Sequence, residues 1–362
     1  MMLSMRPLAL AAAALCAGAL AAHAEADHAG IAQQALTKVI RPGYNDLAAK
    51  SGTLQEKADA LCKEPSESSR EETKDAFAAA VESWSKVEIL RFGPVYREHR
   101  YERLFFWPDP KGIGLRQVQR ALATEDETVT TVDNLAEKSV ALQGLPALEY
   151  LLYGKGADEL ARGYPEVGFR CLFAASVSAN IARIATQVAE GWREGAEDSK
   201  RFLTPAANDP LYRAPKDVTL ELSKALSGGI ELVRDQKLGR PLGESLERAR
   251  PGLAAFWRSG LTFPNMVGNL EGVRALFVDG GFAEVVATES PGVEDSILFD
   301  LDRVIKILRA ERKPIAEAVN EPAARNKLEA LRVALKSARD TASAMIAQGA
   351  GLSFGFNAMD GD

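Results

Sequence analysis

Apolar residues recur at steps of three and four along most of this chain. Phe77, Val81, Trp84, Val87 and Leu90 form one stripe, and Cys171, Ala174, Val177, Ile181, Ile184, Val188 and Trp192 form a longer one. Three more run through Met266, Leu270, Val273 and Phe277, through Ile297, Leu301, Val304 and Leu308, and through Leu328, Leu331, Leu335 and Ala338. A helix of 3.6 residues per turn puts each set on one face, where it can be buried against a neighbour. Opposite charges four residues apart, such as Glu82 and Lys86, support the exposed faces. No sustained alternation of apolar and polar residues bounded by turn signals occurs, so strands are not expected. The pattern predicts an all-α fold.

Proline and glycine divide these helices. Phe92-Gly93-Pro94 ends one, Trp107–Gly112 reads as a loop, and Gly163–Pro165 precedes another helix. Gly239–Gly243 and Pro251-Gly252 are further breaks. The densest interruption is Thr204–Pro215, which holds Pro205, Pro210 and Pro215. The chain is longer than one hydrophobic core usually supports. Two helical bundles packed together are therefore expected, residues 25–207 and 208–362, with no residue-level repeat between them.

Residues 1–24 read as a signal peptide. Arg6 supplies positive charge, Leu8–Leu20 an apolar run, and Ala22-His23-Ala24 a small-x-small cleavage site. That run is shorter than the ~20 helical residues that cross a bilayer, and no later apolar run reads as long enough to do so. The expectation is a periplasmic or otherwise exported protein, cleaved near Ala24, with no transmembrane segment in the mature chain. The formal net charge of −6 becomes −7 when Arg6 is lost. A dispersed acidic balance argues against nucleic acid as a partner and offers no polybasic patch for anionic lipid. Cys62 and Cys171 remain outside the leader. An oxidising compartment would allow a disulfide between them, and the alternative is two buried thiols.

The segment Gln143–Gly154, QGLPALEYLLYG, sets one acidic residue, Glu149, among apolar ones. Removing a carboxylate from water is costly unless it is paired or hydrogen-bonded. Three readings are open: a buried ion pair with an arginine such as Arg116 or Arg258, a ligand- or metal-binding role, and a surface position. Pro146, three residues earlier, shares a helix face with Glu149 but has no side-chain donor or acceptor. It fits the first turn of a new helix, which would put Glu149 near the positive end of that helix.

The same segment resembles the signature of the imelysin family, G-x-H-x-x-E followed by an aromatic, two leucines and an aromatic-glycine pair, here Gly144 to Gly154. The ending GFNAMDGD, Gly355–Asp362, resembles that family's C-terminal signature, and Arg91–Pro94 and Trp257–Gly260 match as well. The resemblance spans nearly all of the mature chain. It implies two helical bundles with a functional cleft between them, a link to iron, and a peptidase classification. At the position of the family's histidine this chain has Pro146, which removes a metal ligand from the expected peptidase site.

Other chemistry is scarce. Outside the leader the histidines are His28 and His99, and neither has the second His of an H-E-x-x-H helix. There is no G-x-S-x-G and no P-loop, and Gly112-Ile113-Gly114 lacks the preceding strand and third glycine of a dinucleotide site. His99, in the charged run Arg97–Arg103, reads as part of a solvated face. Oxygen and guanidinium chemistry remain. Carboxylates favour hard cations such as calcium, magnesium or ferric iron, and the candidates are Glu149, Asp109, Asp360 and Asp362. Asp109 fits a helix cap equally well. The Asp360-Gly361-Asp362 tail is too short for an EF-hand and is expected to be structural. The expected ligand-binding set is Glu149, Asp109, Arg116 and Arg258, with Glu149 and Asp109 as candidate ligands for iron or calcium.

These observations lead to an exported, non-enzymatic envelope protein connected with iron or metal acquisition. It would hold a metal ion, a polar small ligand or an envelope protein partner. A metallopeptidase in which His99 or Asp109 replaces the lost ligand, and a helical scaffold without a small ligand, are the alternatives.

Overall fold

A computed structural model describes residues 26–162 and 168–352. The signal-peptide segment, Gly163–Pro165 and the GFNAMDGD tail with Asp360 and Asp362 lie outside the described residues. Those described are helical almost throughout and contain no strand, as the periodicity predicts. The helices that carry the argument are α1 (Arg41–Lys63), α2 (Glu67–Val87), α3 (Ile113–Thr124), α4 (Gly144–Tyr153) and α5 (Gly168–Trp192) in the first half. In the second they are α6 (Pro215–Glu231), α7 (Thr262–Val278), α8 (Val293–Ala310) and α9 (Pro322–Gly349).

Each predicted stripe is a core face. Phe77, Val81 and Trp84 of α2 and Val177, Ile181 and Ile184 of α5 are all fully buried, and α1 packs against both helices. A capping box at Ser66 starts α2, where Ser66 and Ser69 satisfy each other's backbone N–H. Helix α5 is long and apolar enough to cross a membrane by length and composition, contrary to the sequence expectation. Its apolar character is explained by packing, because α1 and α4 cover it and most of it is buried. Cys62 near the end of α1 and Cys171 near the start of α5 are joined in a disulfide, with Cα atoms 5.5 Å apart.

The stripes of α7, α8 and α9 build the second half in the same way. Residues 204–214 connect the halves without regular helix, where the proline-rich break was expected. The apolar core nevertheless runs through both halves as one cluster. Helix α2 packs directly on α7, and a Cβ at Gly272 would lie 2.1 Å from the Lys86 carbonyl oxygen. Only glycine permits that approach.

The halves also share a feature that the sequence pattern does not announce. The helix from His28 passes through a π-helical stretch, Ala35–Ile40, just before Arg41-Pro42, and α6 passes through another, Leu232–Gly239, just before Arg240-Pro241. Proline lacks an N–H and crowds the carbonyl one turn back, and a widened turn lets the helix continue. The second of these stretches brings Arg240 to the cleft described next.

Candidate functional site

Helix α4 is fixed by its first residue. Gly144 has φ +75°, and a Cβ there would stand 2.4 Å from the carbonyl oxygens of Arg103 and Leu104. Pro146 follows in the first turn, where its missing N–H has no helical partner to lose. Leu148, Leu151 and Leu152 anchor the helix in the core. Glu149 is thereby carried to the boundary between the halves, only 4 % exposed.

The loop before α7 closes over this carboxylate. Phe256 adopts φ +55°, which is unfavourable for a side chain of its size. It is buried and stacked on Phe105 with ring centroids 5.2 Å apart. The Thr262 hydroxyl donates to the Ala255 carbonyl at 2.7 Å and fixes the far side of the turn. The turn aims two successive backbone N–H groups at Glu149. Its Oε1 accepts from Arg258 N at 3.0 Å, Ser259 N at 2.9 Å and the Ser259 hydroxyl at 2.9 Å. Among the described residues no group donates to Oε2. Burial pushes the Glu149 carboxyl above its ordinary range, and the Ser259 and Arg258 donors pull the other way.

The buried ion pair considered for Glu149 is not formed among the described residues. The Arg258 guanidinium lies 4.4 Å from the Trp257 ring centroid and 5.5 Å from that of Tyr150, and it is the Arg258 backbone that reaches the carboxylate. Backbone dipoles take the place of a counter-charge.

Glu149, Asp109 and Arg258 line one cavity of ≈ 130 Å³ between the halves, together with Trp107, Pro146 and Arg240. The Trp107 indole donates to the Leu253 carbonyl at 3.2 Å and ties the two walls together. Asp109 is present in a different role from Glu149. Its two oxygens accept from Ile113 N and Gly114 N, both at 2.8 Å, so it caps α3. Arg116 is exposed, donates to the Lys111 carbonyl and does not line the cavity. His99 is exposed beside Glu102, and buried His28 bonds Thr219 at 3.0 Å.

Metal ligation fits this arrangement poorly. No group of three or more His, Cys, Asp or Glu able to hold a metal ion occurs among the described residues. Asp109 spends both oxygens on the α3 N-terminus, which leaves Glu149 Oε2 as the one carboxylate oxygen at the cavity without a donor. Neither His99 nor Asp109 replaces a ligand at Pro146.

Sequence reasoning did not reach Ser259 as an anchor, Arg240 as a wall residue, or a buried pair between Glu88 and Lys237, 2.6 Å apart. Trp257–Gly260 was visible as a motif, but only the fold shows its N–H groups converging on a residue 109 positions earlier. Lys237 stands among polar neighbours in RDQKLGR and gives no sign of its burial.

Residues 40–342 match the family model described as Imelysin, which carries a peptidase name. None of the curated proteins matches the chain. Among solved structures, an imelysin-like protein from Psychrobacter arcticum 273-4 superposes with a TM-score of 0.73 at 18% identity, covering 91% of this chain and 97% of the other. A protein from Parabacteroides distasonis ATCC 8503 described as a "putative iron-regulated protein A precursor" superposes with a TM-score of 0.73 at 12% identity, covering 90% of this chain and 97% of the other. At these identities the likeness is one of fold.

Proposed function

The chain belongs to the imelysin family, and from that premise we propose that it is an exported binding protein of the cell envelope, connected with iron or metal acquisition, whose ligand meets Glu149 between the halves. The observation that carries this reading is the condition of Glu149. It is a buried carboxylate at a cavity wall, with one oxygen satisfied three times and the other without a donor. A carboxylate in that state gains from a ligand that brings positive charge or a hydrogen-bond donor. The link to iron is supported by the Parabacteroides relative, described as iron-regulated, and export by that relative's being a precursor together with the leader-like residues 1–24.

Hydrolysis has less support in the donor set. Pro146 offers no metal ligand, and Asp109 is engaged as a helix cap. The test is titration of the purified mature protein with ferric, calcium and zinc ions and with haem, beside a Glu149→Gln variant, and measurement of protein abundance under iron limitation. Binding that is lost in the variant, or abundance that rises without iron, supports the reading. No binding and no response to iron removes it. Metal-dependent cleavage of an unfolded substrate, abolished in Glu149→Gln, would replace it with the peptidase.

A further inference from the structure

A second and larger cavity, ≈ 630 Å³, shares Trp107, Pro108 and Arg240 with the Glu149 pocket. Its volume lies in the range of small-molecule sites, which favour the junction between domains. Arg91, Lys224 and Arg240 line it. Many basic side chains of this acidic chain sit on carboxylates, as Arg97, Arg201, Arg234 and Arg274 do. These three differ. The Arg91 guanidinium lies 4.7 Å from the centroid of the Tyr101 ring, and Arg240 donates to the Gln236 amide oxygen. Among the described residues none of the three has an ion-pair partner.

Two acids share the cavity with these three cations, Glu231 and Glu221. Glu231 is committed to Arg339. Burial pushes the Glu221 carboxyl upward, and its neighbour Lys224 pulls it back. Phe92 and Trp107 supply apolar wall, and Gly228 leaves open space where a side chain would stand. A concave site with three unpaired cations concentrates positive potential in a molecule whose formal net charge is −6.

We propose that this cavity binds a small polyanion, whose carboxylate or phosphate oxygens bridge Arg91, Lys224 and Arg240 while its body lies against Trp107. Guanidinium forks recognise either oxyanion in two-point contact, and lysine adds a point charge. The site stands independently of the Glu149 reading. Where that reading also holds, the metal would arrive as an anionic chelate, which needs no ligand set from the protein.

The test is calorimetric titration of the mature protein with citrate, ferric citrate and pyrophosphate at low and high salt, with tryptophan fluorescence as a second readout. The expected result is one-to-one binding that weakens as salt is raised. It should fall about tenfold or more in an Arg91→Ala/Lys224→Ala double variant, and be unchanged in Arg274→Ala, whose guanidinium is outside the cavity. Both residues of the double variant are exposed, and an unshifted melting curve checks that it folds. Citrate against pyrophosphate separates carboxylate from phosphate recognition. Preference for ferric citrate supports the metal link as well. Equal affinity for citrate and ferric citrate keeps the site and removes that link. No binding of any of the three anions, or binding indifferent to the double variant, overturns the proposal.

Discussion

Glu88 and Glu149 are both carboxylates buried where the two halves meet, and they are held in opposite ways. Glu88 Oε2 receives the Lys237 ammonium at 2.6 Å and the side-chain amides of Asn269 and Asn265 at 2.9 and 3.2 Å. Lys237 is fully buried, and desolvation pushes its pKa down to about 8 against the pull of Glu88. Glu149 has no cation on its oxygens. Three neutral donors hold one oxygen, and the other is left without a donor at a cavity wall. A charge closed by a counter-charge inside the core is committed to joining the halves. A charge ordered by dipoles at a cavity is still available for a ligand. Each carboxylate keeps one oxygen without a donor, but Glu88 Oε1 is sealed in the core beside a counter-charge, whereas Glu149 lines a cavity and has none.

Removing one partner from the closed site should have the largest effect. Lys237→Met strands Glu88 without its cation, and chemical denaturation should show a loss of about 3–5 kcal/mol. The double variant Lys237→Met/Glu88→Leu should recover most of it, since an apolar pair of similar volume costs little. A small loss in the single variant would mean that Glu88 is not held by its partner, and the contrast with Glu149 would collapse.

Next comes the frame of the open site. Gly144→Ala places a methyl against two carbonyl oxygens in a left-handed conformation and should cost about 2 kcal/mol or more. It should also reduce any binding that depends on Glu149, because α4 must move. Retained stability and retained binding together would show that α4 is not positioned by this contact.

Ser259→Ala removes one of three donors from Glu149 Oε1 and should cost about 1 kcal/mol. Titration of Glu149 followed by carboxyl NMR should show its pKa moving further upward, since a donor to the charged form is gone.

The smallest effect is expected from Glu149→Gln, within about 1 kcal/mol at neutral pH. Its sign is informative. An acid whose folded pKa is raised binds more protons when folded than when unfolded. Stability therefore falls as pH rises from the ordinary value of 4.5 through the raised folded value. Denaturation midpoints between pH 4 and 7 should show this decline in the parent and a shallower one in Glu149→Gln. An opposite slope difference would place the folded carboxylate below its ordinary value.

The helices were legible because burial has a period. Val177, Ile181 and Ile184 could be assigned to one face from spacing alone, and all are buried. The prolines of Thr204–Pro215 marked a stretch without regular helix, but the single apolar core that runs across it has no local signature in the sequence. Glu149 stood out because an acid in an apolar run has to be accounted for. Its partners did not stand out, since backbone N–H groups carry no residue identity and Arg258 contributes its main chain rather than its guanidinium. Asp109 shows the converse. Its loop setting suggested both a ligand and a cap, and only the distances to Ile113 N and Gly114 N separate the two. Arg91 is far in sequence from Lys224 and Arg240, and no local pattern announces that the three share a cavity.

The Cys62–Cys171 crosslink closes a ring of chain around a sequence separation of 109 residues. Glu88, Trp107, Asp109 and Glu149 all belong to that ring, whereas the Trp257–Gly260 turn and Arg240 lie outside it. In the oxidised polypeptide one wall of the cleft is thus held within a covalent hoop and the other is not. Reduction would return to the unfolded chain the loop entropy that the crosslink removes, and would do so for that wall alone.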